Sequence, residues 1–213
     1  MVHHVMFDVD DTLVLSDEFD QNCFVEAVYE ILGHKLDTEW IRYTHVTDAG
    51  ILDQHINENG LQTKQKEIHT AVKRVFTEKI ASYLRKNPAQ QMPGAPAFIA
   101  ELRQLENLSI SIATGGWQET ALMKLESAEI DVSGIPIASS NDHFSRTDIM
   151  KIAEHKATGA INAQCSYFGD GEWDKKACEE LGYNFVLVGS KACHTQSIPD
   201  FRNRERALKY IGL

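Results

Sequence analysis

Three aspartates fall within four residues near the start of the chain, in Phe7-Asp8-Val9-Asp10-Asp11-Thr12-Leu13, directly after an apolar run. On an extended backbone side chains two apart point the same way, so Asp8 and Asp10 are expected to project together while Val9 faces the opposite side. Carboxylates that close repel each other unless a cation offsets them. A hard divalent ion answers that need: Mg2+ takes oxygen ligands, commonly one or two carboxylates, and keeps other positions for water and substrate phosphate. An isolated acid group of this kind is more simply an N-cap and a solvated turn. A second acidic pair changes the balance. In Tyr167-Phe168-Gly169-Asp170-Gly171-Glu172-Trp173-Asp174, glycines on either side of Asp170 let the backbone turn and approach a ligand, and Asp170 and Asp174 share a face if a helix starts there.

Two more loops carry suitable groups. Ala113-Thr114-Gly115-Gly116-Trp117 offers a hydroxyl and exposed backbone N–H groups of the sort that hold a phosphoryl oxygen. The stretch from Ser139 to Asp148 places Arg146 just before a helical pattern, with Lys151 one turn further on as the alternative cation. Singly, Thr114 is a turn residue and Arg146 a surface charge. Taken in order with the acids, the four loops read as one anion site.

These loops need a frame that brings them together. Residues 5–9, 109–113, 135–138, 166–168 and 185–188 read as short buried strands, with helical patterns at 96–106, 119–128, 149–155 and 175–181 between them. Such alternation predicts an α/β fold, a Rossmann-like doubly wound parallel sheet core whose ligands sit at the carboxyl ends of the strands. Residues 16–89 break the alternation, since every apolar pattern there has helical period. This stretch is expected to be an inserted all-helical domain. The α/β core then comprises residues 1–15 and 90–213, re-entered through the stiff connector Met92-Pro93-Gly94-Ala95-Pro96.

Composition narrows the partners. The 213 residues are 43% apolar and 24% charged, a globular balance, and the longest apolar runs are far short of the ~20 residues that span a bilayer. The net charge of −10 is spread along the chain with no clustered basic face, which argues against nucleic acid. An anionic ligand would therefore need a metal ion, helix N-termini or one or two placed cations. Cys23, Cys165, Cys178 and Cys193 show no CxxC pairing or zinc-ligand spacing and are expected to be free thiols. With aspartates where a signal peptide would be apolar, a cytoplasmic location is expected. No obligate protein partner is evident.

The order DxDxT, strand-end Thr followed by glycine, basic residue, then GDxxxD resembles the haloacid dehalogenase-like superfamily of phosphohydrolases, and the helical insert is similar to that superfamily's cap domain. The resemblance implies Asp8 as nucleophile and Asp10 as general acid and base, with Thr114 and the N–H groups of Gly115 and Gly116 holding the phosphoryl and Arg146 balancing its charge. It further implies Mg2+ held by Asp8, the backbone carbonyl of Asp10 and Asp170, with Asp174 as a ligand or an orienting acid. Two positions depart from the family's pattern: Arg146 stands where Lys is usual, and Asp11 where Gly is frequent, Asp11 being expected to be structural. The second aspartate, Asp10, favours phosphoryl transfer over dehalogenation. The absence of Lys from residues 38–48 speaks against a phosphonatase. A phosphosugar mutase uses the same groups. From another class, a phosphoacceptor receiver or an idle binding protein stays in view, although receivers lack the insert and the GDxxxD loop. The expected partner is a small phosphorylated metabolite, with Arg42, His45 and Trp117 as candidate substrate-binding residues, and Asp48 and Lys191 beside them.

Overall fold

β1 (His3–Phe7) carries Val5, Met6 and Phe7 fully buried in succession, which requires cover on both faces of a sheet. The computed structural model describes residues 3–159 and 164–213, and supplies that cover. After β1 come β2 (Val14–Leu15), α1 (Asp17–Leu32), α2 (Asp48–Glu58), α3 (Gln65–Leu84), β3 (Gln90–Gln91), α4 (Ala95–Leu102), β4 (Leu108–Ala113) and α5 (Gln118–Ser127). They are followed by β5 (Ile137–Ala138), α6 (Arg146–Thr158), β6 (Gln164–Gly169), α7 (Glu172–Leu181), β7 (Asn184–Val188), β8 (Ser197–Ile198) and α8 (Arg204–Tyr210). Six strands form one parallel sheet in the order β5-β4-β1-β6-β7-β8.

The period of two along each strand sorts side chains between the faces. Val5 and Phe7 join Phe98 of α4, Ala121 and Leu125 of α5 and Ala207 of α8 in one apolar layer, while Met6 and Tyr167 join Ile149, Met150 and Ala153 of α6 and Ala177 of α7 in the other. Four aromatic rings lock the first layer: Phe7 stacks on Phe168 at 5.1 Å and Phe98 on Phe201 at 5.2 Å. Aromatic pairs of this kind contribute about 0.5–1.5 kcal/mol beyond their buried area. Because Phe7 pairs in register with Ile112 of β4 and Phe168 of β6, the ends of these strands coincide.

The helical insert has its own apolar core. Phe24, Ala27 and Val28 of α1 meet Val72, Val75, Phe76 and Ile80 of α3, the stripe that the helical period predicts. Trp117, at the end of the β4 loop, inserts into this same cluster, 6.0 Å from Phe24 and 5.9 Å from Phe76.

Three differences from the sequence reading are local. β2 and β3 pair antiparallel, Val14 with Gln91 and Leu15 with Gln90, and β8 extends the sheet edge. Each is two residues long, too short to show a period. The first strand ends at Phe7 and not at residue 9, because the Val9 carbonyl accepts N–H bonds from Leu13 at 2.9 Å and Val14 at 3.0 Å and closes a tight turn. Asp11 adopts φ +50° in that turn, a conformation that Asp tolerates better than most residues.

Candidate active site

Asp8 leaves the end of β1 with its N–H bonded to the Phe168 carbonyl at 2.9 Å, so the first acidic loop is fixed to the strand that carries the second. Carboxylate oxygens of Asp8, Asp170 and Asp174 all lie within 4.8 Å of one another, and all three residues are buried. Burial, then the charge of Asp174, pushes the Asp8 carboxyl well above the ordinary carboxylate range, against the pull of Arg146. Burial and Asp174 likewise push Asp170 up to about 7, with Lys191 opposing. Asp8 Oδ1 is buried without a hydrogen-bond partner.

That arrangement fits a hard cation. Oxygen donors are gathered, their mutual repulsion disfavours joint ionisation, and one of them is left unsatisfied, a combination that a divalent ion reverses. Asp174 has a different set of partners. Its Oδ1 accepts from Arg146 Nη1 at 2.7 Å and lies 3.2 Å from the Tyr167 hydroxyl, while Oδ2 accepts the Gly171 N–H at 3.1 Å. These bonds orient Arg146 and the turn, while Asp174 remains within reach of the other two carboxylates. A Cβ on Gly169 would sit 2.6 Å from Asp174 Oδ2, which explains the glycine before Asp170.

Arg146 opens α6 and reaches the acids through a buried side chain, with Nη1 3.8 Å from Asp8 Oδ2 and Nη2 donating to the Val46 carbonyl at 2.9 Å. Lys151 is instead half-buried and paired with Asp148 at 3.3 Å, so of these two Arg146 is the cation that reaches the cluster. Thr114, fully buried, accepts the Gly116 N–H on Oγ1 at 3.1 Å, and any Cβ on Gly115 would run into the Arg146 guanidinium. Lys191 bridges Asp11 at 2.7 Å and Asp170 at 3.0 Å from the far side.

Asp10 does not project alongside Asp8 from a straight strand. The turn carries it to Lys124 of α5, whose Nζ lies 2.5 Å from Asp10 Oδ1 and 2.6 Å from Asp20 Oδ1 of α1. Ser16 Oγ donates to that same Asp10 oxygen. The other oxygen, Oδ2, lies beside Gly116, 3.6 Å from where a Cβ on that glycine would sit. Lys124 is fully buried, and the two carboxylates hold its ammonium charged far above the ordinary range despite burial. Sequence reading passed over Lys124, yet the signal was present. It lies between Ala121 and Ala128 on the apolar stripe of its helix, where a lysine has no place unless paired.

The insert closes over the site. Asp48 N–H donates to the Gly115 carbonyl at 2.8 Å, Asp48 Oδ2 accepts the Trp117 N–H at 2.8 Å, and Thr47 Oγ1 donates to the Phe144 carbonyl at 2.6 Å. The cavity, about 100 Å³, lies between Asp8, Asp10, Asp170, Thr114 and Arg146 on the sheet side and Asp20, Gln21, Trp40 and Asp48 on the helical side. Arg42 and His45 are not among its walls. Arg42 is exposed and paired with Asp37 at 2.7 Å, and His45 packs on Phe144 at 5.1 Å beside an outer cleft. Trp117 contributes its backbone N–H, while its ring belongs to the insert's core. Asp20 and Gln21 were not foreseen, because helical period marks α1 but not which polar face meets the sheet, and Trp40 lies in a short turn beyond that helix.

No match was found among curated protein sequences. Solved structures share the fold: a hydrolase from Pseudomonas syringae superposes with a TM-score of 0.68 at 21% identity, covering 92% of this chain and 88% of that chain. CbbY from Rhodobacter sphaeroides in complex with phosphate gives 0.69 at 17% identity, over 95% and 96% of the two chains. The β-phosphoglucomutase of Clostridium difficile gives 0.72 at 14% identity, over 99% of each. Residues 5–188 match the haloacid dehalogenase-like hydrolase family, and with the acidic cluster, the glycine turn and the helical cap described above, the chain belongs to that family.

Proposed function

We propose that this chain is a Mg2+-dependent phosphohydrolase that cleaves a small phosphorylated metabolite through an aspartyl-phosphate on Asp8. The observation that carries the reading is Asp8 Oδ1, buried and unpartnered beside the cavity that Thr114 and the Gly115-Gly116 turn line. The phosphate bound in CbbY and that protein's xylulose-bisphosphate complex support a phosphorylated small molecule as the class of substrate.

An Asp8 oxygen attacks phosphorus, a P–O bond to Asp8 forms, and the bond to the leaving alcohol breaks. Asp10, with Oδ1 tied to Lys124 and Ser16, gives a proton through Oδ2 to the departing oxygen and later takes one from the attacking water. Thr114 and the N–H groups of the glycine turn orient the transferring group, and Arg146 offsets its charge. Asp8, Asp170 and the Asp10 carbonyl would hold Mg2+, with Asp174 steering Arg146. When bound, the ion neutralises charge between the nucleophile and the phosphoryl oxygens. Residues 16–89 act as the cap that limits access to small substrates. Phosphate release from p-nitrophenyl phosphate, with and without Mg2+, tests this. Turnover that requires the ion and is lost in Asp8→Asn, with the wild type trapping label on Asp8, supports it, and undiminished turnover in Asp8→Asn refutes it.

A further inference from the structure

The chemistry of the cavity's helical side bears on what the leaving group is, given the phosphohydrolase reading above. We infer that the substrate's leaving alcohol is compact and carries hydroxyl or ammonium groups and no second anionic group. Among the described residues, Arg146 is the one cation in the cavity wall, and it is held by Asp174, Asp8 and the Val46 carbonyl. Lys124 lies behind the wall with its ammonium between Asp10 and Asp20. The charges already present therefore serve the phosphoryl end.

The helical insert adds Asp20, Gln21 and Asp48 with the rings of Phe24 and Trp40 to the same cavity. Asp48 is held in place from both sides, its N–H on the Gly115 carbonyl and its Oδ2 on the Trp117 N–H, and burial followed by the charge of Asp20 pushes its carboxyl well above the ordinary range, so it offers a neutral hydrogen-bonding group. Asp10 and Asp20 share the single Lys124 ammonium, which leaves this wall acidic; carboxylates accept hydrogen bonds from O–H or N–H donors and repel a carboxylate or a second phosphate, and aromatic faces beside acids favour cations. With a volume of about 100 Å³, the cavity admits little beyond the phosphoryl group and a short chain.

A wider cleft outside contains Lys151, Lys176 and Lys191, which could in principle receive a distal anion. It also contains Asp148, Glu172 and Glu180, and its Lys191 is already paired with Asp11 and Asp170, while the Arg146 to Val46 hydrogen bond lies between this cleft and the inner cavity. The inner wall thus decides the class.

Two inert phosphonates of nearly equal size separate the possibilities: 2-aminoethylphosphonate, with an ammonium, and phosphonoacetate, with a carboxylate. Calorimetric titration of the full chain in Mg2+ is expected to show the first binding at least about tenfold more tightly, the factor that one like-charge contact in a partly buried site produces. Asp20→Asn should narrow that gap, and Gln21→Lys should narrow it further by adding a cation to the same wall. If Asp20→Asn fails to fold, the wild-type order and Gln21→Lys still decide. Equal affinities, tighter binding of phosphonoacetate, or preferred hydrolysis of a bisphosphate over a monophosphate of the same alcohol would overturn the inference. Because binding is read without turnover, a chain that discriminates the phosphonates but never releases phosphate defeats the hydrolase reading and leaves the charge selectivity standing.

Discussion

Replacing Lys124 by Met removes the ammonium that joins Asp10, Asp20 and α5 while keeping the length of the stem. The side chain is fully buried and its two ion pairs measure 2.5 and 2.6 Å, so the change leaves two facing carboxylates without a cation. Breaking a buried pair this way costs about 3–5 kcal/mol. Asp10 and Asp20 keep 26% and 18% side-chain exposure and can regain water, which places the loss at the low end, about 3 kcal/mol. For a chain of this size that lowers Tm by about 6 to 12 °C. Adding Asp20→Asn removes one of the stranded charges, so the double variant should recover part of the loss, with a coupling energy of about 2 kcal/mol by thermal or urea unfolding. Turnover of an aryl phosphate should fall about a hundredfold in Lys124→Met, since Asp10 loses the contact that aims Oδ2. A Tm change below about 2 °C together with unchanged kcat would show that the buried lysine neither stabilises the cap nor positions Asp10.

Other substitutions test separate parts of the site. Gly115→Ala drives a methyl group into the Arg146 guanidinium and should lower kcat/KM sharply while Tm moves little, measured on the same aryl phosphate. Arg146→Ala should abolish turnover, whereas Lys151→Ala should leave it unchanged within error, because only the former touches the carboxylate cluster. His4, buried between Ser109 and Ser111, has its pKa lowered to about 4 by burial. The unfolded chain takes that proton near pH 6.5, so between 6.5 and 4 the unfolded state binds more protons and stability falls as pH drops. His4→Gln should lose about 2 kcal/mol less than the wild type between pH 7.5 and pH 5 in urea titrations, and parallel pH profiles would contradict the assignment.

The sheet and the acidic loops could be read before any coordinates because they obey short rules. Buried strands such as Val5-Met6-Phe7 are apolar without interruption, and Asp8 and Asp170 follow them directly, so strand order alone brings both to one edge. The choice between Arg146 and Lys151 needed the start of α6, since one turn of helix separates a buried guanidinium from a half-buried ammonium that points away from the acids to Asp148. The helical side of the cavity was least legible. Arg42 and His45 looked suitable by residue type, but which face of the insert meets the sheet is fixed by long-range packing, chiefly Trp117 lodged between Phe24 and Phe76. Asp20 and Lys124 are separated by 104 positions, and nothing in either local sequence names the other.

The two-residue ladder between β2 and β3 also sets how the cap can move. Both covalent crossings between helices and sheet pass through this ribbon, about 4.8 Å apart, and the Met92 N–H bond to the Leu13 carbonyl prolongs it by one rung. Two cords tied that close behave as a single pivot, permitting a swing about one axis and resisting a slide or a twist. The Asp20, Thr47 and Asp48 contacts with the sheet side are the ones that such a swing has to break.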